Sequence, residues 1–253
     1  MMEELKRALQ KAANDATTKA LILTGTDPYY SAGVNLAGTL RLGHPQTLHE
    51  TIVTLNQALF QAFIDFPKPI LAAINGPAIG AATTSTMLCD AIIVSERSSI
   101  STPFAKLGVA REGCSTYLFP KVLGESTAER ILGKEGWSPS GKEILDIGFA
   151  QWCVSHDQLL EEAQRIAEDW VTTQKPRSFK ANAEAELLRE INRQESIRVA
   201  TSFFGSQFLD SQFEFLWTRK KRMPAMFFRL LRITRPIWFK LLKSSSLGQE
   251  NRP

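Results

Sequence analysis

Apolar and polar positions recur along this 253-residue chain with two different periods, and the balance between them shifts near residue 156. Leu5, Ala8, Leu9, Ala12 and Ala13 fall at helical spacing and predict an amphipathic helix over residues 3–14. Residues 20–24 form a short unbroken apolar run stopped by Gly25, which predicts a buried strand. Helical spacing returns through Leu48, Ile52, Leu55, Leu59 and Phe63, predicting a helix over residues 47–66. Two more apolar runs of strand length follow, at 70–74 and 90–94. Strand and helix thus alternate, the signature of an α/β fold with a largely parallel sheet.

The reading continues with an irregular stretch at 101–115 and helices at 116–123, 126–132 and 138–147. The last stops at Gly148, before a short strand around residues 152–154. Beyond residue 156 only the helical period remains, over 157–173, 178–193 and 195–215. The organisation expected is an α/β core over 1–156, a helical part over 157–217 and a basic-aromatic tail over 218–253, with no internal repeat. In that tail Arg219, Lys220, Lys221 and Arg222 precede large apolar residues interleaved with Arg229, Arg232, Lys240 and Lys243. Such a pattern fits an interfacial amphipathic segment or a partner-binding helix, interrupted at Pro224 and Pro236, or else an extension that packs poorly.

Composition narrows the classes. Hydrophobic residues make up 43% of the chain, ample for a buried core. Lys+Arg number 30 against 26 Asp+Glu, and most of the excess lies in the tail, so nucleic acid is not an expected partner. Cys89, Cys114 and Cys153 are widely spaced and only three histidines accompany them, so neither disulfides nor a metal centre is expected. Cys89 and Cys114 read as small packed hydrophobes. The first residues lack an apolar core of the signal-peptide kind, and no apolar run is long enough to predict a membrane span.

Chemistry is expected where small residues follow buried strands. Asn75-Gly76-Pro77 predicts a turn, and a helix opens near Gly80 among Ala78, Ala81 and Ala82. A helix start presents free N–H groups, which suit a phosphate or an oxyanion that develops during a reaction. A second small-residue cluster, Ser31-Ala32-Gly33-Val34, follows the first strand, so two backbone amides could converge on one oxygen.

The order and spacing of these segments resemble the enoyl-CoA hydratase/isomerase, or crotonase, superfamily. The resemblance rests on Leu21–Gly25, Tyr30–Gly33, Lys68-Pro69 through Cys89-Asp90, Ser101–Gly108 and Leu132-Gly133 through Gly148, and covers roughly residues 5–217. It implies repeated ββα core units with a C-terminal helical part that mediates homotrimer assembly. Family chains begin with a β-hairpin upstream of the first helix, whereas this sequence starts almost at that helix, so the first strand is expected at an open sheet edge. The resemblance also implies an acyl-CoA substrate, no separate cofactor, and a thioester carbonyl polarised by the amides of Val34 and Ala81. Ser31, Ala32, Gly33 and Gly80 would line the coenzyme A site, and Arg219 and Lys220 would face its phosphates.

Hydratases of this family hold water between two glutamates, and the matching positions here are Thr84 and Phe104. The remaining carboxylate is Glu112, in a Glu112-Gly113-Cys114-Ser115 segment that resembles the peroxisomal-type Δ3,Δ2-enoyl-CoA isomerases. One carboxylate suffices for a 1,3-proton shift, so the activity implied is isomerisation of a 3-enoyl-CoA in β-oxidation or a related pathway. The alternatives are a hydratase-like enzyme of secondary metabolism and a non-catalytic acyl-CoA-binding or interaction protein that contacts a membrane surface through its tail. A peroxisomal location follows from the resemblance alone, since the last three residues are Asn251-Arg252-Pro253; mitochondrial and cytoplasmic locations are the other expectations. Arg111 is positioned to depress the Glu112 pKa if the two pair. Asn35 stands where the family carries Asp, His44 and His49 read as solvated, His156 as a surface turn residue, and Lys68 as structural.

Overall fold

The computed structural model describes the backbone of residues 2–33, 44–179 and 183–246, and side chains through residue 240. The predicted apolar runs become β1 (Leu21–Thr24), β2 (Ile70–Ile74), β4 (Ala91–Ser95) and β6 (Trp152–Val154), paired in parallel in the order β1-β2-β4-β6. Leu21 registers with Ile70, Leu71 with Ala91 and Ile93 with Trp152. A second, two-stranded parallel sheet pairs β3 (Pro77–Ile79) with β5 (Ser99–Ser101).

Every residue of β2 and β4 is buried, as a sheet covered on both faces requires. Alternate side chains divide between the two faces, following the period of two. Ile70, Ala72, Ile74, Ile92 and Val94 pack with Leu59, Phe60 and Phe63 of α2 (Pro45–Ile64) and with α1 (Met2–Asn14). Leu71, Ala73, Ala91 and Ile93 meet Leu159, Ala163, Ile166 and Trp170 of α8 (Leu159–Thr172) on the other side. Burying Leu71, Ile93, Leu159 and Ile166 contributes on the order of 6–12 kcal/mol before entropy is charged against it.

Between α2 and α8 along the chain come α3 (Ala81–Thr86), α4 (Phe104–Leu107), α5 (Ser115–Leu123), α6 (Glu125–Leu132) and α7 (Lys142–Asp146). Several predicted boundaries move. The turn expected at 75–77 is shorter, because Pro77 already opens β3, and the stretch 101–115 contains α4. The helix expected over 138–147 shrinks to α7, since Gly141 adopts φ +45° and starts it late. The break expected near residue 194 lies instead at 203–205. It separates α9 (Ala183–Ser202) from α10 (Ser206–Thr218), and Asn192, Glu195 and Ser196 continue the helix as buried polar residues.

The tail departs most from expectation. Residues 222–246 form one helix, α11 (Arg222–Ser246), with Pro236 inside it. Pro224 sits in its first turn, where a missing N–H costs nothing. The helix docks firmly. Ala225 and Phe228 are buried with Phe208, Leu209 and Leu216 of α10, and Trp238 packs edge-on against Phe204. Arg232 Nε donates to Asp210 at 3.0 Å and Arg235 Nε to the Phe204 carbonyl at 2.8 Å.

A buried ion pair ties the layers together. Arg177 Nη1 meets Asp90 Oδ2 at 2.8 Å, with both side chains fully buried. The rest of the guanidinium donates to the carbonyls of Phe63, Phe66 and Leu88, while Asp90 also accepts the Ile70 and Ser178 amides. With this satisfaction neither charge is orphaned. Lys68 is structural, donating to the Ala12 and Asp15 carbonyls at the end of α1, each at 2.6 Å.

Candidate active site

Two chain segments meet at the N-terminal end of α3. Tyr30 and Ser31 amides donate to the Pro77 carbonyl, and the Ile79 amide returns a bond to Ser31, so the loop after β1 runs alongside β3. Gly33, at φ +86°, ends beside Ile79; a Cβ there would lie 3.5 Å from its side chain. Ser31, Ala32 and Gly33 are thereby brought against the residue that precedes Gly80. Val34 and Asn35 lie outside the described residues.

Gly80 carries φ +67° and ψ −125°, a combination that only glycine adopts readily, and a Cβ there would meet nothing within 4 Å among the described residues. Its own amide is fixed on the Ser101 carbonyl at 2.8 Å, and its carbonyl accepts the Thr83 and Thr84 amides. Ala81, as the first helical residue, has no carbonyl within α3 to receive its N–H. That amide is left without an intrahelical partner at the residue that follows Gly80.

Glu112 lies on a turn that needs two left-handed residues, Gly113 at φ +70° and Cys114 at φ +59°. Gly113 is pressed onto α3, where a Cβ would come 2.5 Å from Thr84 Oγ1 and 2.7 Å from Phe60. Glu195 of α9 holds the turn: one carboxylate oxygen accepts the Cys114 amide at 2.6 Å, the other the Thr116 amide and hydroxyl at 3.0 and 2.6 Å. These three donors cap the start of α5 and stabilise an otherwise unfavourable backbone.

Glu112 is buried, 9% exposed as a residue, and its charged form has one described partner, the Asn56 amide of α2. Asn56 is itself oriented by Ser196, whose hydroxyl donates to its carbonyl oxygen at 2.9 Å. Burial pushes the Glu112 pKa up to about 7, the Asn56 hydrogen bond opposes this, and the nearby Glu195 charge adds to the rise. A carboxylate with that value takes and returns protons with similar ease near neutral pH.

Arg111 does not pair with Glu112. Its guanidinium reaches Glu129 at 2.5 Å on the surface, so it exerts no direct contact on the base. Thr84 and Phe104 are buried, and neither offers a carboxylate. Cys89 and Cys114 are buried with thiol pKa values pushed up by desolvation, which suits packing rather than nucleophilic attack. His44 is exposed, as expected for a solvated residue. Two other histidines differ from expectation: His49 is half-buried against Phe204 and bonded to Thr201, and His156 bridges Ser95 and Asp27 from a one-turn 3₁₀ helix. Arg219 and Lys220 sit at the far end of α10, where the Arg219 guanidinium stacks 3.8 Å from the Phe215 ring; neither bonds to the Glu112 cluster. Among the described residues no group of His, Cys, Asp or Glu has the arrangement of a metal site.

Asn56, Ser196 and Glu195 were not anticipated as site residues. Their signal was present in a weak form. Asn56 interrupts the apolar face set by Ile52, Leu59 and Phe63, and Glu195 and Ser196 interrupt that of Leu188 and Val199.

Comparisons with known proteins give the family and the fold. Residues 1–218 match the family model described as enoyl-CoA hydratase/isomerase. The mouse protein "Enoyl-CoA delta isomerase 3, peroxisomal" is 30% identical over 220 residues, covering 80% of this chain and 69% of its own. The human "Enoyl-CoA delta isomerase 2" is 38% identical over 134 residues, 52% of this chain and 34% of its own. The enoyl-CoA hydratase/isomerase structure from Pseudoalteromonas atlantica T6c superposes with a TM-score of 0.73 at 24% identity, covering 87% of this chain and 86% of that one. The fold is therefore that of the crotonases, and the chain belongs to the enoyl-CoA hydratase/isomerase family.

Proposed function

We propose that this protein isomerises a 3-enoyl-CoA to the conjugated 2-enoyl thioester, with Glu112 as its single acid-base. The observation that carries the reading is one available carboxylate, buried and raised to about pH 7, on a turn packed against the helix that starts with the Ala81 amide. Glu195, the other buried carboxylate nearby, has both oxygens committed to the α5 cap and is spoken for structurally. A hydratase would need a second free carboxylate to hold water, and Thr84 and Phe104 cannot supply it.

In this reading Glu112 takes the proton from C2 of the substrate. The electron pair moves through the thioester, placing negative charge on its oxygen, where the Ala81 amide donates; Val34 is the second donor by family pattern. Each such donor stabilises the dienolate by roughly 3–4 kcal/mol. The protonated Glu112 then delivers the proton to C4, the double bond settles between C2 and C3, and the carboxylate is regenerated. No proton, water or electron is gained or lost overall. Gly33 and Gly80 leave the approach to the thioester free of side chains, and Ser31 and Ala32 are assigned to the coenzyme A part of the same cleft. Arg219 and Lys220 are kept as candidates for its phosphates.

Both regioisomers tell the readings apart. Purified protein given 3-hexenoyl-CoA should form 2-hexenoyl-CoA, and given 2-hexenoyl-CoA should form no 3-hydroxyacyl product. Net water addition to the 2-enoyl substrate would overturn the single-carboxylate account.

A further inference from the structure

The outer face of α11 carries a stripe that the proposed activity does not use. Met223, Met226, Leu230, Ile233 and Ile237 recur at spacings of three and four, all between 52% and 82% exposed, while the opposite face holds Ala225 and Phe228 buried. Along one flank of that stripe run the exposed cations Arg222, Arg229 and Lys240, which share one line on the helix surface because they lie seven and eleven residues apart. Arg222 covers Trp217 at 3.8 Å, and exposed Phe215 and Trp217 extend the apolar patch onto the end of α10 beside Arg219, Lys220 and Lys221. From Arg222 to Ser246 the helix contains six Arg or Lys residues and no Asp or Glu.

We propose that α11 is an interfacial helix that seats this enzyme on an anionic membrane surface. A continuous apolar stripe beside a row of cations is the arrangement that sinks to the acyl boundary while cations meet lipid phosphates. Its length of about 37 Å, at 1.5 Å per residue, is compatible with lying flat. It is not apolar enough to cross. The same stripe spacing would suit a coiled coil between two copies, but that would set rows of cations against each other with no acid on either helix to offset them. Charge complementarity therefore selects the lipid surface.

Flotation of the full chain with vesicles tests this. Vesicles of phosphatidylcholine with about 30% phosphatidylserine should carry the protein up, those of phosphatidylcholine alone far less, and raised salt should weaken the association. The variant Met226→Ser/Leu230→Ser/Ile233→Ser should lose roughly tenfold or more of the binding, and Arg222→Glu/Arg229→Glu/Lys240→Glu a similar or larger factor. Met226, Leu230, Ile233 and Lys240 are exposed, so the serine variant should keep the wild-type melting profile; Arg222 and Arg229 also lie over the Trp217 and Phe213 rings, so binding by the glutamate variant is compared at a temperature where its own melting curve shows it folded. The lipid and salt dependence of the unaltered chain reads out the proposal independently. Absence of flotation, or equal flotation on neutral and anionic vesicles, would overturn it. So would a serine variant that changes the assembly mass in sedimentation and leaves vesicle binding intact, because the stripe would then be an interface between copies.

Discussion

Glu112→Gln should raise stability at alkaline pH and far less at acid pH. The carboxyl ionises in the unfolded chain near its ordinary value of 4.5 and in the folded protein at about 7. A folded pKa raised above the unfolded one means that the native state holds a proton which the unfolded state has released between those two values. Stability therefore falls as pH rises through that window and levels off above it. Integrating the two titrations gives a penalty of roughly 1 kcal/mol at about pH 5 and roughly 3 kcal/mol at about pH 8. Glutamine does not titrate. Its own effects on packing and on the Asn56 contact are the same at both pH values and cancel in the comparison. The stability difference between variant and wild type should thus widen by about 2 kcal/mol from the lower to the higher pH, or on the order of 1 M in urea midpoint for a chain of this size. Urea titrations of both proteins at the two pH values measure it. A difference that stays constant within about 0.5 kcal/mol would refute the reasoning, because Glu112 would then titrate in the folded protein as it does in water.

Other outcomes follow from the same contacts. Asn56→Leu removes the one described donor to ionised Glu112, so the acid limb of the isomerase pH profile should move upward by roughly one unit, read from kcat/KM against pH. Gly80→Ala meets no steric obstacle but cannot hold φ +67° with ψ −125°, so it should displace the Ala81 amide and lower kcat roughly 10²-fold, more than it changes KM. Asp90→Ala leaves the Arg177 charge buried without its partner, and should cost about 3–5 kcal/mol in chemical denaturation.

Much of the fold could be read from the chain. The strand runs at 70–74 and 91–95 are almost wholly apolar because both faces of the sheet are covered there, and 21–24 keeps an apolar run although β1 lies at the sheet edge and is only partly buried. The Gly80-Ala81 helix start was legible in the small residues that follow a buried strand, and Glu112 was singled out only by the family resemblance of the Glu112-Gly113-Cys114-Ser115 segment. What supports Glu112 was less so. Asn56, Ser196 and Glu195 are polar residues on helix faces whose period only says that they point inward, and which partners they meet depends on how α2, α5 and α9 cross. The tail misled for a different reason. Proline was read as a helix breaker, yet Pro224 occupies a first turn and Pro236 sits on the exposed side, while Phe228 and Trp238 gain enough packing to hold one continuous helix. Local propensity lost to tertiary burial there.

The central claim is that one carboxylate carries a proton from C2 to C4. Incubating wild-type protein and Glu112→Gln with 3-hexenoyl-CoA deuterated at C2, and locating the label in the 2-hexenoyl-CoA formed, tests it most directly. The account expects deuterium transferred in part to C4 by the wild type, and a rate lower by roughly 10²–10⁴-fold in the variant. Equal rates in the two proteins would contradict it.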